Sequence, residues 1–363
     1  MSQQPNQQST ITRTQLFHMV MQVTIGIAIL QLPHRLYKTT KVDAWISIIL
    51  VLLGVLLLIY MLCALCKQYP GKHVYEFLPI VFGKKIGLVL NIVYILYCII
   101  AVSQFFYQNS QILRKWILPR TPMVVLIILI LLVCIYLAIE SLRIIARFIV
   151  IINLIVPLLF IIPIFAIQYS EWLYLLPIYQ TDIPSILDGA KTTVQSMLGF
   201  EILLVVYPFV NGTNKQIRKS VSLSMTITAF YYLFITIICF SFFTGDELEH
   251  ISEPVLYMLK AVSVRNIMRS DLYFLSLWTV LSITSITLYL FMGAVGTATI
   301  FGKKDHKPFI LIMSLIILGM SFLWGIESIK DSMALFSTYY SFFTVLIIPL
   351  LALITTKIRK RFK

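Results

Sequence analysis

Ten apolar runs of about 20 residues each follow one another through the 363 residues, separated by short polar or Pro/Gly-rich connections. They cover 14–36, 44–66, 86–113, 123–139 and 144–168, then 186–210, 221–243, 272–300, 308–325 and 332–356. A bilayer core about 30 Å thick needs about 20 apolar residues per helix. A globular core cannot absorb this much apolar chain: 59% of residues are hydrophobic and 12% charged, against roughly 45–50% and 25% in ordinary globular proteins. Barrel strands would be about ten residues long and would alternate in polarity, which these runs do not. The chain is therefore expected to be an all-α integral membrane protein of about ten transmembrane helices, with the lipid bilayer as its first partner.

Charge sets the expected orientation. With the N-terminus inside, 18 of the 29 Lys and Arg fall in cytoplasmic segments, and most acidic residues fall outside. Both termini are thus expected in the cytoplasm. The net charge of +14 then belongs to the inner face, where it suits anionic headgroups, and no nucleic-acid partner is needed to explain it. The polar start, 1–10, lacks the order of a cleaved signal peptide and reads as a frayed tail. Five cysteines lie in or at the ends of apolar runs and read as buried thiols.

Two runs carry interruptions. The first reads Gly26-Ile27-Ala28-Ile29-Leu30-Gln31-Leu32-Pro33, and the sixth reads Gln195-Ser196-Met197-Leu198-Gly199-Phe200-Glu201, with Pro208 further on. Gly and Pro weaken a helix interior. The two runs stand first in each set of five, which points to a 5+5 inverted-repeat bundle with broken helices 1 and 6 and a site at the membrane midplane. The boundaries that follow are a polar tail 1–13, a first repeat 14–168, an outer connection 169–185, a second repeat 186–356 and a basic tail 357–363.

An opened helix exposes amide N–H groups at one half-helix start and carbonyls at the other half-helix end. The first suits a carboxylate and the second an ammonium, so a zwitterionic amino acid fits both. Gly26, Ile27 and Ala28, with Thr24 beside them, are assigned the carboxylate. Ser196, Leu198, Gly199, Phe200 and Glu201 are assigned the amine. Glu201 is the leading candidate, because a carboxylate at that depth normally faces the bundle interior. Tyr97, with Ala101 continuing its helical face, is a candidate pocket wall. Thr284 and Thr287 in the eighth run form an i, i+3 hydroxyl pair, either facing the solute or an ion or bonding between helices. The stretch 254–262 has helical apolar spacing and is expected to lie on the membrane surface or cap the bundle. Histidines show no metal-ligand spacing, and no phosphate loop or nucleophile elbow is present. Neither an enzyme nor a cofactor is expected.

On these residues the chain resembles the B subunits of GerA-type spore germinant receptors, a branch of the amino acid, polyamine and organocation transporter superfamily. The resemblance spans nearly the whole chain and rests on Gly26 to Pro33, on Gly199-Phe200-Glu201 and on the basic turn Lys215-Gln216-Ile217-Arg218-Lys219. Ala28 stands where the family usually has a second Gly, and His34, followed by Arg35, where an Arg commonly follows the Pro. Ala favours helix by about 1 kcal/mol over Gly, which bears on how far the first helix unwinds. The resemblance implies a LeuT-like fold and a membrane subunit that senses a small-molecule nutrient, usually an amino acid, in the spore inner membrane. It also implies an A subunit and a lipoprotein C subunit as partners. A proton- or sodium-coupled amino acid transporter of the same fold is the alternative.

Overall fold

A computed structural model describes residues 10–26, 28–262 and 269–361. All ten apolar runs are helical. The first run splits into α1 (Arg13–Thr24) and α2 (Ala28–Thr40), followed by α3 (Ala44–Cys66), α4 (Val74–Phe82), α5 (Lys84–Trp116) and α6 (Met123–Ala138). The fifth run is α7 (Leu142–Ile152) and α8 (Val156–Ile164), joined by a 3-10 turn. The sixth is α9 (Ile183–Ser196) and α10 (Leu203–Val206), the seventh α11 (Asn214–Phe242). Two short helices, α12 (Gly245–His250) and α13 (Pro254–Ala261), precede α14 (Ser270–Ile300), α15 (Lys307–Leu323), α16 (Glu327–Phe342) and α17 (Ile348–Arg361). A π-helical turn, Phe343–Ile347, joins the last two.

Six helical segments among the described residues are long and apolar enough to cross a bilayer, and the bent pair around the α9 break makes a seventh. Helices α6 and α15 are shorter, at 16 and 17 residues. One of the six segments, Ala28–Cys66, holds both the second half of the first span and the whole second span. Large apolar side chains face outward around the bundle, among them Leu57 (69% exposed), Leu154 (75%) and Leu315 (71%). Such a surface belongs in lipid.

Local sequence fixes the helix ends. Thr12 and Gln15 form a reciprocal capping box at the start of α1 (2.8 and 3.2 Å), and Thr213 and Gln216 do the same for α11. Pro33 does not end α2, which runs on to Thr40. The two chain ends share one face: the Ile11 amide donates to Phe209 O at 2.8 Å, the Tyr69 and Thr356 hydroxyls are 2.8 Å apart, and Arg359 donates to Ile80 O at 3.0 Å. Ile11 is fully buried in this arrangement, so the part of the 1–13 tail next to α1 is docked, because it has an apolar side chain to bury.

On the opposite face, the carboxylate of Asp43 accepts from the amides of Tyr179, Gln180 and Thr181 at 2.7–3.0 Å, tying the 169–185 connection to the end of α2. Helix α13 buries Val255, Leu256, Met258 and Leu259 against α2, α11 and α14, so 254–262 caps the bundle. Helices α1, α5, α11 and α14 supply much of its buried interior.

Candidate functional site

Both interrupted helices break where their glycines stand, and the breaks meet. Helix α1 ends at Thr24 and α2 begins at Ala28, so the alanine in place of the family's second glycine is the first residue of the resumed helix. Ile27 lies outside the described residues. Helix α9 ends at Ser196, and the chain turns through Gly199 at φ 131° into a 3-10 turn, Phe200–Ile202, bending the span by 49°. Only glycine adopts that φ without strain. A Cβ on Gly199 would also lie 2.8 Å from Val23 Cγ1 and 2.9 Å from Thr24 Oγ1. The absent side chain therefore lets the two breaks touch.

Tyr232 of α11 holds them together. Its hydroxyl lies 2.5 Å from the carbonyl of Thr24 and 3.1 Å from that of Ser196, the last residues of the two half-helices. Trp278 of α14 donates to the carbonyl of Gly26 at 3.1 Å. Carbonyls at a helix end lack intrahelical partners, and these two side chains supply them.

Glu201 is buried, 1% exposed. The hydroxyls of Tyr97 and Tyr289 each donate to its Oε1 at 2.6 Å, and the Gly199 amide donates to its Oε2 at 2.7 Å. All three partners are donors, which suits a carboxylate. The side chain thus fixes the turn of the sixth span to α5 and α14.

Beside the junction lies a cavity of about 80 Å³, lined by Thr24, Gly26, Ala28, Tyr97, Ala101, Ser196 and Leu198 among the residues expected from sequence. At roughly 10–15 Å³ per water, it holds about five to eight water-sized positions, the scale of a very small solute. Gly199, Phe200 and Glu201 are not in its wall: Glu201 stands one hydrogen bond behind Tyr97 and Tyr289, and Phe200 faces an apolar groove between α3, α9 and α16. The hydroxyl pair of α14 is also outside it. Thr284 accepts from the Gln22 amide at 2.8 Å, and Thr287 donates to Ile283 O at 2.9 Å. Ser285 donates to Gln22 O and Ser282 to Asn109, so Ser282, Thr284 and Ser285 bond between helices while Thr287 bonds within its own.

Sequence reasoning missed the rest of the wall: Val23, Gln31, Arg35, Gln104, Phe105, Gln108, Gln195, Tyr289, Ser337 and Ser341. Tyr97, Ala101, Gln104 and Gln108 recur at four, three and four residues, one face of a helix. Following that face one more heptad was the available signal. Gln31, Arg35, Gln104, Gln108 and Gln195 also line a wider space of about 430 Å³ reaching Lys330 and Asp331. The cavity therefore opens toward the face opposite the termini.

Comparison with known proteins agrees with this architecture. A family described as "Spore germination protein" matches residues 10–329. Spore germination protein GerQB of Bacillus cereus is 24% identical over 308 residues, 85% of this chain and 84% of the relative. Spore germination protein B2 of Bacillus subtilis (strain 168) is 25% identical over 312 residues, 84% of each. Among solved structures, a substrate-bound, outward-open Na+-coupled sialic acid symporter superposes with a TM-score of 0.69 at 15% identity, covering 94% of this chain and 80% of that one. Mhp1, a nucleobase-cation-symport-1 family transporter, gives 0.65 at 11% identity, with 88% and 73% covered. At these identities the likeness is one of fold, the broken-helix 5+5 bundle of such transporters.

Proposed function

The chain belongs to the spore germination protein family, and from that premise we propose that it senses a small nutrient, an amino acid, in the cavity between its two helix breaks and triggers germination. It is an integral membrane, permease-like germination protein. The observation that supports the finer reading is the convergence of the Thr24–Ala28 and Ser196–Gly199 breaks on one solute-sized cavity that adjoins a wider polar space. The residues that touch the solute in this reading are Thr24, Gly26, Ala28, Tyr97, Ala101, Ser196 and Leu198. Gly199 and Glu201 hold the wall in place.

In this account the protein sits in the spore inner membrane with both termini in the cytoplasm, so the mouth faces outward. It acts with an A subunit and a lipoprotein C subunit. Solute filling the cavity favours one arrangement of the half-helices, and the receptor responds to that shift.

The test uses spores that lack this chain and other germinant receptors, complemented with wild type or Ala101→Trp and exposed to amino acids, nucleosides and sugars. A response restored by wild type but not by Ala101→Trp at equal protein level supports the proposal. Equal responses from the two, or none from wild type with its partner subunits supplied, contradict it.

A second reading, a proton-coupled carrier, is favoured by one observation: Glu201 is a buried carboxylate with no cationic partner among the described residues, and it links the broken sixth span to two neighbours. A carrier accumulates solute against its gradient in vesicles and loses that coupling in Glu201→Gln. A sensor does neither.

A further inference from the structure

The cavity's polar groups are unevenly supplied. Several groups able to receive an ammonium already accept a hydrogen bond: the carbonyls of Thr24 and Ser196 share the Tyr232 hydroxyl, the carbonyl of Gly26 accepts from Trp278, and the oxygens of Glu201, behind the wall, accept from Tyr97, Tyr289 and the Gly199 amide. No carboxylate lines the cavity, and Arg35 is its one ionised lining side chain among the described residues. Arg35 donates one N–H to Gln31 Oε1 at 2.9 Å, and among the described residues most of its five donors are uncommitted. Glu249 and Glu253 on this face are paired elsewhere, with Lys41 and Lys115, and Asp331 lines only the wider space beyond the cavity, together with Lys330. Arg35 takes part in no ion pair among the described residues.

Helix geometry turns this cation toward the cavity. Arg35 follows Ala28 by seven residues, two turns and about 10 Å along α2. Side chains on a helix lean toward its N-terminus, and the bond to Gln31 fixes the guanidinium one turn down, on the cavity side. Below it are the first amides of α2, which have no intrahelical acceptor and carry the positive end of the helix dipole. A carboxylate between them meets donors on two sides.

We infer that the solute is a small carboxylate whose acid group is received by Arg35 and the start of α2, and that an amino group is not required. This rests on the proposed nutrient site and gives it a chemical class: 2-hydroxy acids and amino acids of the same shape bind, and their neutral amides do not. The amine half of the zwitterion pocket expected from sequence is not needed in this inference, because no carboxylate lines the cavity to pair with an ammonium.

The test uses the full chain in lipid nanodiscs, with direct binding of the amino acids, their amides, the matching 2-hydroxy acids, and neutral sugars and nucleosides. The expected result is that binders carry a carboxylate, with L-lactate and L-alanine within about tenfold of each other if either binds. The amide of the best binder is weaker by about tenfold or more, the scale of one lost charge-assisted hydrogen bond. Arg35→Gln abolishes that discrimination with an unchanged melting temperature, and Arg35→Lys restores part of it. Equal binding of acid and amide by the wild type, or binding of neutral solutes alone, overturns the inference. If binding in either case is lost in Ala101→Trp, the nutrient site itself survives. Binding that persists in Ala101→Trp, or no binder at all, removes the site and the inference together.

Discussion

Gly199 approaches Thr24 so closely that a Cβ on the glycine would lie 2.9 Å from the threonine hydroxyl and 3.1 Å from its amide nitrogen. One missing side chain thus joins the broken first span to the broken sixth, and most of the site's behaviour follows from that junction.

The two break glycines should respond very differently to alanine. Gly199→Ala meets both an unfavourable φ and two contacts under 3 Å, and strain plus overpacking is worth about 2–4 kcal/mol. Gly26 has its nearest obstacle, Val23 O, at 3.4 Å, so Gly26→Ala should cost less than about 1 kcal/mol. Thermal unfolding in detergent separates them. Equal losses would mean that the breaks do not meet at Gly199.

Glu201 should tolerate an amide far better than a truncation. Glu201→Gln keeps an oxygen for the Gly199 amide, and the two tyrosine hydroxyls can rotate to accept from its NH2. Glu201→Ala leaves three buried donors unpaired, at about 1–3 kcal/mol each. Membrane accumulation should therefore be near normal for the first and severely reduced for the second.

Tyr232→Phe removes a hydroxyl shared by the ends of both half-helices. The expected cost is about 1–3 kcal/mol, with faster amide hydrogen exchange concentrated around 24–26 and 196–199. Exchange that is unchanged there, or raised evenly across the bundle, would deny Tyr232 this role.

How much of this was legible in the sequence depended on whether the signal was local. The breaks at Gly26 and Gly199 could be read because glycine and proline act on their own backbone. Ala101 and Tyr97 could be read from helical spacing, and so could Gln104 and Gln108 on the same face. Tyr232 and Trp278 could not, since an aromatic in an apolar run carries no sign of the distant carbonyl it will meet. Glu201 was found for its depth, but not its place behind the wall, where its oxygens accept from Tyr97, Tyr289 and the Gly199 amide. The Thr284 hydroxyl was equally visible but bonds to Gln22, a pairing that only packing decides.

Acid should loosen the 169–185 connection. Burial alone would raise the pKa of Asp43, but the amides of Tyr179, Thr181 and Gln180 outweigh it, and the group titrates below the usual carboxylate value. The unfolded chain therefore takes up this proton first, near pH 4, and the folded chain only at lower pH. Stability from Asp43 is complete above about pH 4 and is lost as pH falls through the lowered value. Limited proteolysis should show the connection resisting cleavage at pH 5–7 and opening below pH 4. In Asp43→Asn it should be open throughout.

The most direct test of the central claim places a cysteine in the cavity. The five native cysteines are buried, so Ala101→Cys presents the one accessible thiol among the described residues. A membrane-impermeant thiol reagent applied from the non-cytoplasmic side should modify it, and the solute that elicits germination should protect it in proportion to occupancy. Modification at the same rate with and without that solute, in a protein that still responds to it, would contradict a binding site between the two breaks.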